Sequence, residues 1–148
     1  MLNLECKTLE KVRLLRDIDA RGLQLIAFVA SRVSYLEGEM IFERGAVPDA
    51  VYIVLDGEVE LDVALRDGSE KTLARFGHGE SFGEIGVLND GARSISVRAR
   101  TDTCLLKIPK SDFLDLVREM PQLSLSVMRD LARRMDGMIS KFESMQCS

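Results

Sequence analysis

The chain has 148 residues, 46% hydrophobic and 30% charged, with a formal net charge of −4. That length suits one domain with a substantial core and not two, and the balance is that of a globular rather than a disordered protein. The negative charge argues against a broad nucleic-acid footprint, and no apolar run approaches the length of a membrane span.

The N-terminal MLNLECKTLEKVR carries acids and lacks the apolar core of a signal peptide. From about Leu4 to Val33 the apolar positions Leu14, Leu15, Ile18, Leu23, Ile26 and Val29 recur at helical spacing. Asp17, Asp19 and Gly22 mark a break there, and the two aspartates suit a helix start. From Tyr35 to Pro109 the texture changes to short alternating segments punctuated by glycine, as a β-roll or barrel needs at its turns. Within it Glu58, Glu60 and Asp62 alternate toward solvent while Val59, Leu61 and Val63 face inward. Helical periodicity returns from Ser111, with Pro121 in or just before the first turn of a final helix. The expected organisation is one α+β domain: helices over 1–34, a roll over 35–109 and helices over 110–148.

One stretch carries chemistry. In FGEIGVLNDGARSISV (82–97), EIGVL makes one or two helical turns and ARSISVRA alternates like a strand. The alternation puts Arg93 on the face of Ile95, Val97 and Ala99, with Ser94, Ser96, Arg98 and Arg100 opposite. An arginine on an apolar face is costly unless an anion meets it. The first amides of the short helix, at Gly83, Glu84, Ile85 and Gly86, lack intrahelical partners and attract an anion. A forked guanidinium and the amide and hydroxyl of Ser94 complete a phosphate cradle, and Glu84 beside it suits a sugar hydroxyl. The alternative is that Glu84 neutralises Arg93 as a buried structural pair. On these residues the two readings stand level.

The stretch Phe82–Ala99 resembles the phosphate-binding cassette of the cyclic nucleotide-binding domain family, found in catabolite activators, kinase regulatory subunits and cyclic-nucleotide-gated channels. Phe82, Gly83, Glu84 and Ile85 open it, Arg93 and Ser94 close it, and Ser96–Ala99 form the strand that follows. The likeness extends through LEGEMIFERGAVPDAVYIVLDGEVEL (36–61) and LLKIPKSDFLDLVREMPQL (105–123). Ala92 departs from the proline often found before the arginine, which loosens the turn without removing a ligand contact. The resemblance implies an eight-stranded antiparallel β-roll (a jelly roll) with N-terminal helices, a short cassette helix and C-terminal helices. It implies that Arg93 pairs with the cyclic phosphate, that Glu84 accepts from the ribose 2′-hydroxyl, and that amides near Gly83–Ile85 complete the cradle. Ser94 stands where a hydroxyl reaches the phosphate or a syn guanine. The expected ligand is cAMP, with cGMP the alternative, because a threonine there would be the clearer cGMP sign.

In the last helix Met128, Leu131, Met135, Met138, Phe142 and Met145 step by threes and fours, an a/d seam. Leu125, Ala132 and Ile139 widen the apolar face. The stripe either packs on its own roll or also meets a twin, as catabolite-activator relatives do through this helix, and a homodimer is the expectation. Arg134 flanks the seam where family members often place a side chain that caps the purine; a solvated arginine is the alternative.

Other residues carry less. His78, the single histidine, lies in a turn without a second metal ligand or a serine–acid pair. Cys6, Cys104 and Cys147 are scattered without metal spacing and suit free thiols in a reducing cytoplasm. No metal, cofactor or catalytic constellation is expected, so the chain is not read as an enzyme. Nor is direct DNA binding, since Ser148 follows the last helix with no room for a helix-turn-helix. The expectation is a stand-alone cyclic nucleotide sensor that signals by moving its terminal helix. The alternatives are a ligand-free interaction module of the same fold, or the sensor part of a larger channel, transporter or Crp/Fnr-type regulator.

Overall fold

A computed structural model describes residues 8–147, the side chains of 146 and 147 excepted. Leu4, Cys6 and the side chain of Cys147 therefore lie outside the described residues. A 3₁₀ turn (Arg13–Leu15) leads into α1 (Ala20–Val29), whose N-cap is Asp19, its carboxylate accepting from the Gly22 amide at 2.8 Å. The aspartate pair thus marks a helix start, as the sequence suggests.

Eight strands follow: β1 (Ser31–Tyr35), β2 (Met40–Phe42), β3 (Ala50–Asp56), β4 (Val59–Ala64), β5 (Glu70–Phe76), β6 (Ser81–Phe82), β7 (Ser96–Ala99) and β8 (Thr103–Pro109). They form two antiparallel four-stranded sheets, ordered β1-β8-β3-β6 and β2-β7-β4-β5. Between β6 and β7 sits the short α2 (Glu84–Asn89), and α3 (Lys110–Glu119) and α4 (Pro121–Cys147) close the chain. Val33, grouped with the helical positions by its spacing, lies on β1.

Strand β3 explains the continuous apolar run AVYIVL. Val51, Ile53 and Leu55 point into a core shared with the 3₁₀ turn, α1, α3 and the start of α4. Ala50, Tyr52 and Val54 point the other way, into the interior of the roll with Phe42, Leu61, Phe82, Val97 and Leu105. A strand covered on both faces has no polar side to alternate with. Phe42, Tyr52 and Phe82 meet at centroid distances of 5.2–6.1 Å. Because Tyr52 also pairs in register with Phe82, the aromatic cluster fixes the chain immediately before the cassette.

Two alternation readings need correction. Only Ser96–Ala99 is strand, and the backbone of Arg93 is held earlier by Gly45 and Ala46, donating to Ala46 O at 2.8 Å and accepting from the Gly45 amide at 2.7 Å. Those loop contacts break the ladder before Ser96, so Ser96 is buried and its hydroxyl accepts from the Arg44 amide at 2.9 Å. Asp62 likewise does not face open solvent. A bulge between Leu61 and Asp62 shifts the register, and the buried carboxylate accepts from the Thr72 hydroxyl at 2.9 Å. Glu58 and Glu60 do point outward, where Arg100 pairs with both.

Candidate functional site

The cassette is built at the end of β6. Gly83 caps α2 with φ +92°, a left-handed conformation that an L side chain adopts only under strain. A Cβ on Gly83 would lie 3.2 Å from both the Ala50 carbonyl oxygen and Arg93 Nη1. Gly86, one turn later, is as closely approached: a Cβ there would meet Arg93 Nη1 at 3.0 Å and Pro48 at 3.2 Å. Both glycines are thus required by the passage of one arginine side chain.

That side chain runs inward and is 3% exposed. Its Nη1 donates to the Gly83 carbonyl and its Nη2 to the Ala50 carbonyl, each at 2.7 Å. The guanidinium lies 4.0 Å over the Phe42 ring, and Asp49 approaches Nη2 at 3.9 Å. Burial pushes its pKa below the usual arginine value, opposed by Tyr52, Asp49 and Glu84. The Nε is buried without a hydrogen-bond partner. A permanently charged guanidinium held by two carbonyl oxygens and one exposed carboxylate at 3.9 Å, with its Nε unpartnered, keeps donors free for a further anion.

Glu84 is 1% exposed, but it does not pair with Arg93. Its Oε2 accepts from the Ser81 hydroxyl at 2.6 Å, and its Oε1 faces Arg134 Nη1 at 3.5 Å. This corrects the reading in which the two cassette charges neutralise one another: Arg93 turns toward β3, whereas Glu84 turns toward α4. Arg134 is anchored by four groups. Besides Glu84 it donates to the Ser81 carbonyl, lies 2.9 Å from the Asp130 carboxylate, and stacks its guanidinium 4.6 Å over Phe76. Arg134 is therefore not a solvated surface arginine; it ties the last helix to the cassette.

The remaining candidates separate. Phe82 is fully buried in the aromatic cluster beneath the cassette, while Ile85 points outward and Ser94 is exposed at the cassette's end. Sequence reasoning missed Asp49, Phe42 and the Ala50 carbonyl, which reach Arg93 from β2 and from the N-terminal end of β3. It also missed Ser81, Phe76 and Asp130. Only Ser81 and Asp130 offered any signal, each lying three or four residues from a candidate. His78 stays in its exposed turn, its Nδ1 against the Leu55 carbonyl at 2.7 Å, and Cys104 is a half-buried free thiol on β8. No group of metal-ligating residues occurs among the described residues.

The predicted seam of the last helix faces away from the roll except at Leu131. Leu123, Val127 and Leu131 pack inward, whereas Met128, Met135, Met138, Phe142 and Met145 are 57–70% exposed. Packing of the whole stripe on its own domain is thereby excluded for these side chains. No described helix is long and apolar enough to cross a membrane.

Known proteins resemble this chain in sequence and in fold. The Cyclic AMP receptor protein of Thermus thermophilus is 41% identical over 101 residues, 68% of this chain and 47% of the receptor. Lysophospholipase nte1 of Neurospora crassa is 34% identical over 125 residues, 84% of this chain but 8% of that enzyme. The crystal structure of the Thermus thermophilus Catabolite Activator Protein superposes with a TM-score of 0.81 at 33% identity, covering 90% of this chain and 63% of that one. The chain thus spans under half of the receptor and a small fraction of the enzyme. The model of the cyclic nucleotide-binding domain matches residues 32–120. This chain belongs to the cyclic nucleotide-binding domain family.

Proposed function

We propose that the chain is a cAMP-binding regulatory module that reports ligand through its last helix. The observation that carries this reading is Arg93: a buried guanidinium hydrogen-bonded only to two neutral carbonyls, with a single exposed carboxylate at 3.9 Å and an unpartnered Nε. A cyclic phosphate offers that guanidinium charge-assisted, two-point contact, which carbonyls do not match. The amides at the start of α2 face the same anion. Glu84, already an acceptor for Ser81, takes the ribose 2′-hydroxyl as a second donor. The name of the Thermus relative favours cAMP over cGMP as the ligand.

The output follows from Glu84 being shared. Its free side is held by Arg134 of α4, so a ribose hydroxyl arriving there changes what holds the helix. A ligand that binds one position of α4 better than another shifts the population by that difference in affinity. The exposed methionine seam suits a second copy of this chain, giving a homodimer joined through α4. The same module fits both a free-standing sensor and one unit of a longer regulator, and it binds rather than catalyses.

Calorimetry with cAMP and cGMP tests the proposal. Micromolar or tighter binding of cAMP is expected, about −8 kcal/mol. Absence of heat with either nucleotide at millimolar concentration would return the cassette to a purely structural role.

A further inference from the structure

Away from the cassette, four arginines converge on a groove that the cyclic nucleotide reading leaves unused. Arg13 opens the 3₁₀ turn and Arg16 caps its C-terminal end, three residues apart, a spacing at which side chains eclipse. Arg129 and Arg133 stand four apart on α4, on one face of the helix. The helix packs against the turn, and the two rows line an open cavity of about 450 Å³ together with Asp17 and Ser126.

Like charges at these spacings repel, and little here relieves them. Among the described residues Arg13, Arg16 and Arg129 have no carboxylate within ion-pair reach, while Arg133 meets Asp130 at 3.1 Å. The arginines of the sheets are arranged differently: Arg75, Arg98 and Arg100 each face a glutamate. Asp17 is the single carboxylate in the lining. In a chain of net charge −4, this is a local excess of the opposite sign.

We propose that this groove is a second anion site, separate from the cassette, for a ligand bearing two or more phosphoryl groups. Planar guanidinium forks match phosphoryl oxygens two at a time. Two facing rows suit an extended polyanion lying along the groove, and a singly charged cyclic phosphate leaves most of the forks unused. The cavity is roomy enough for a short polyphosphate or for the head of a larger phosphorylated molecule.

Inorganic tripolyphosphate is the probe, titrated calorimetrically into the full chain at physiological ionic strength, where loose surface attraction is screened within about 8 Å. Saturable one-to-one binding is expected. Arg16→Ala/Arg129→Ala should weaken it roughly tenfold or more, with an unchanged melting temperature because both side chains are exposed and unpaired. Arg93→Lys, which keeps the charge and a carbonyl contact in the cassette, should leave it intact, which separates this groove from the cassette whether or not cAMP binds there. Vesicles of phosphatidylcholine doped with phosphatidylinositol 4,5-bisphosphate form a second arm. Binding to them in place of tripolyphosphate, lost in the same double variant, assigns the groove to a lipid headgroup. The proposal is overturned if neither probe binds saturably, if the double variant binds as well as wild type, or if a folded Arg93→Lys variant loses binding.

Discussion

Arg93 holds the cassette together as well as offering charge to a ligand, and that duality governs how its variants behave. Its two donated hydrogen bonds join the Gly83 and Ala50 carbonyls, so the ring of contacts closes across β3, β6 and α2. Arg93→Ala removes both donors and leaves buried carbonyls unsatisfied, which costs about 2–3 kcal/mol. A lowered melting temperature of the ligand-free protein is therefore expected, and by itself it does not reveal whether the site binds a nucleotide. Arg93→Lys separates the two roles. Lysine keeps the charge and one carbonyl contact but lacks the fork, so thermal stability should fall less than with alanine, while cAMP affinity falls roughly a hundredfold, about 2.7 kcal/mol. Calorimetry beside a melting curve reads both. A lysine variant that binds as tightly as wild type would mean that the phosphate does not use the fork. Glu84 shows the complementary case, since Glu84→Gln retains an acceptor for the Ser81 hydroxyl while weakening the attraction of Arg134.

At the scale of the element, α2 is too short to hold its own shape and is fixed by what surrounds it. Six residues lie below the length at which a helix persists alone. Its geometry depends on Gly83 at one end, on Asp90 in the left-handed region at the other, where Lys110 grips the carboxylate, and on the arginine running beneath. Alanine ordinarily stabilises a helix interior relative to glycine by roughly 0.5–1 kcal/mol. Gly86→Ala should forfeit that gain, because its methyl group meets Arg93 and Pro48 at 3.0–3.3 Å. The displaced guanidinium should lower cAMP affinity roughly tenfold in a protein that remains folded, by calorimetry and circular dichroism. Unchanged affinity would show that the cassette yields without disturbing the arginine. The cassette was legible in the sequence because its parts are local: glycine, carboxylate, turn and arginine fall within thirteen residues, 82–94. The partners of Arg93 were not, because Phe42 arrives through pairing of β2 with β7, and Asp49 and Ala50 through pairing of β3 with β6, and none leaves a periodic trace near the arginine. Alternation misled at Ser96 and Asp62 for one reason: period two holds only while the ladder is unbroken, and a loop clamp or a bulge shifts it by one residue. The eight strands and flanking helices were foreshadowed by glycine punctuation and by the family resemblance, whereas the start of β1 at Ser31 was hidden by the apolar spacing of α1.

For the whole molecule the informative feature is that α4 serves two surfaces. Up to Arg134 its inner face packs on the body; from Met135 to Met145 every residue is exposed. A helix rises about 1.5 Å per residue, so the last three to four turns extend roughly 20 Å beyond the contact. Periodicity alone left two readings of the methionine stripe; the exposure of Met128, Met135, Met138, Phe142 and Met145 removes the one in which the whole stripe packs on its own roll. The five exposed seam residues of each chain, at about 1.5 kcal/mol or more apiece when covered, stand against the roughly 4–15 kcal/mol that association costs. A dimer of micromolar rather than picomolar strength is the expected outcome, with the two α4 helices related by a two-fold axis. Met135→Glu/Met138→Glu places four like charges between the paired helices and should give monomers by light scattering at tens of micromolar. Both positions lie outside the cassette and are solvent-exposed, so the domain itself should melt as wild type does. Because Arg134 joins the same helix to Glu84, the monomeric variant should also bind cAMP less tightly than the dimer, coupling assembly to ligand. A wild-type chain that scatters as a monomer with and without cAMP would remove the second copy from the scheme, leaving the seam for a different partner.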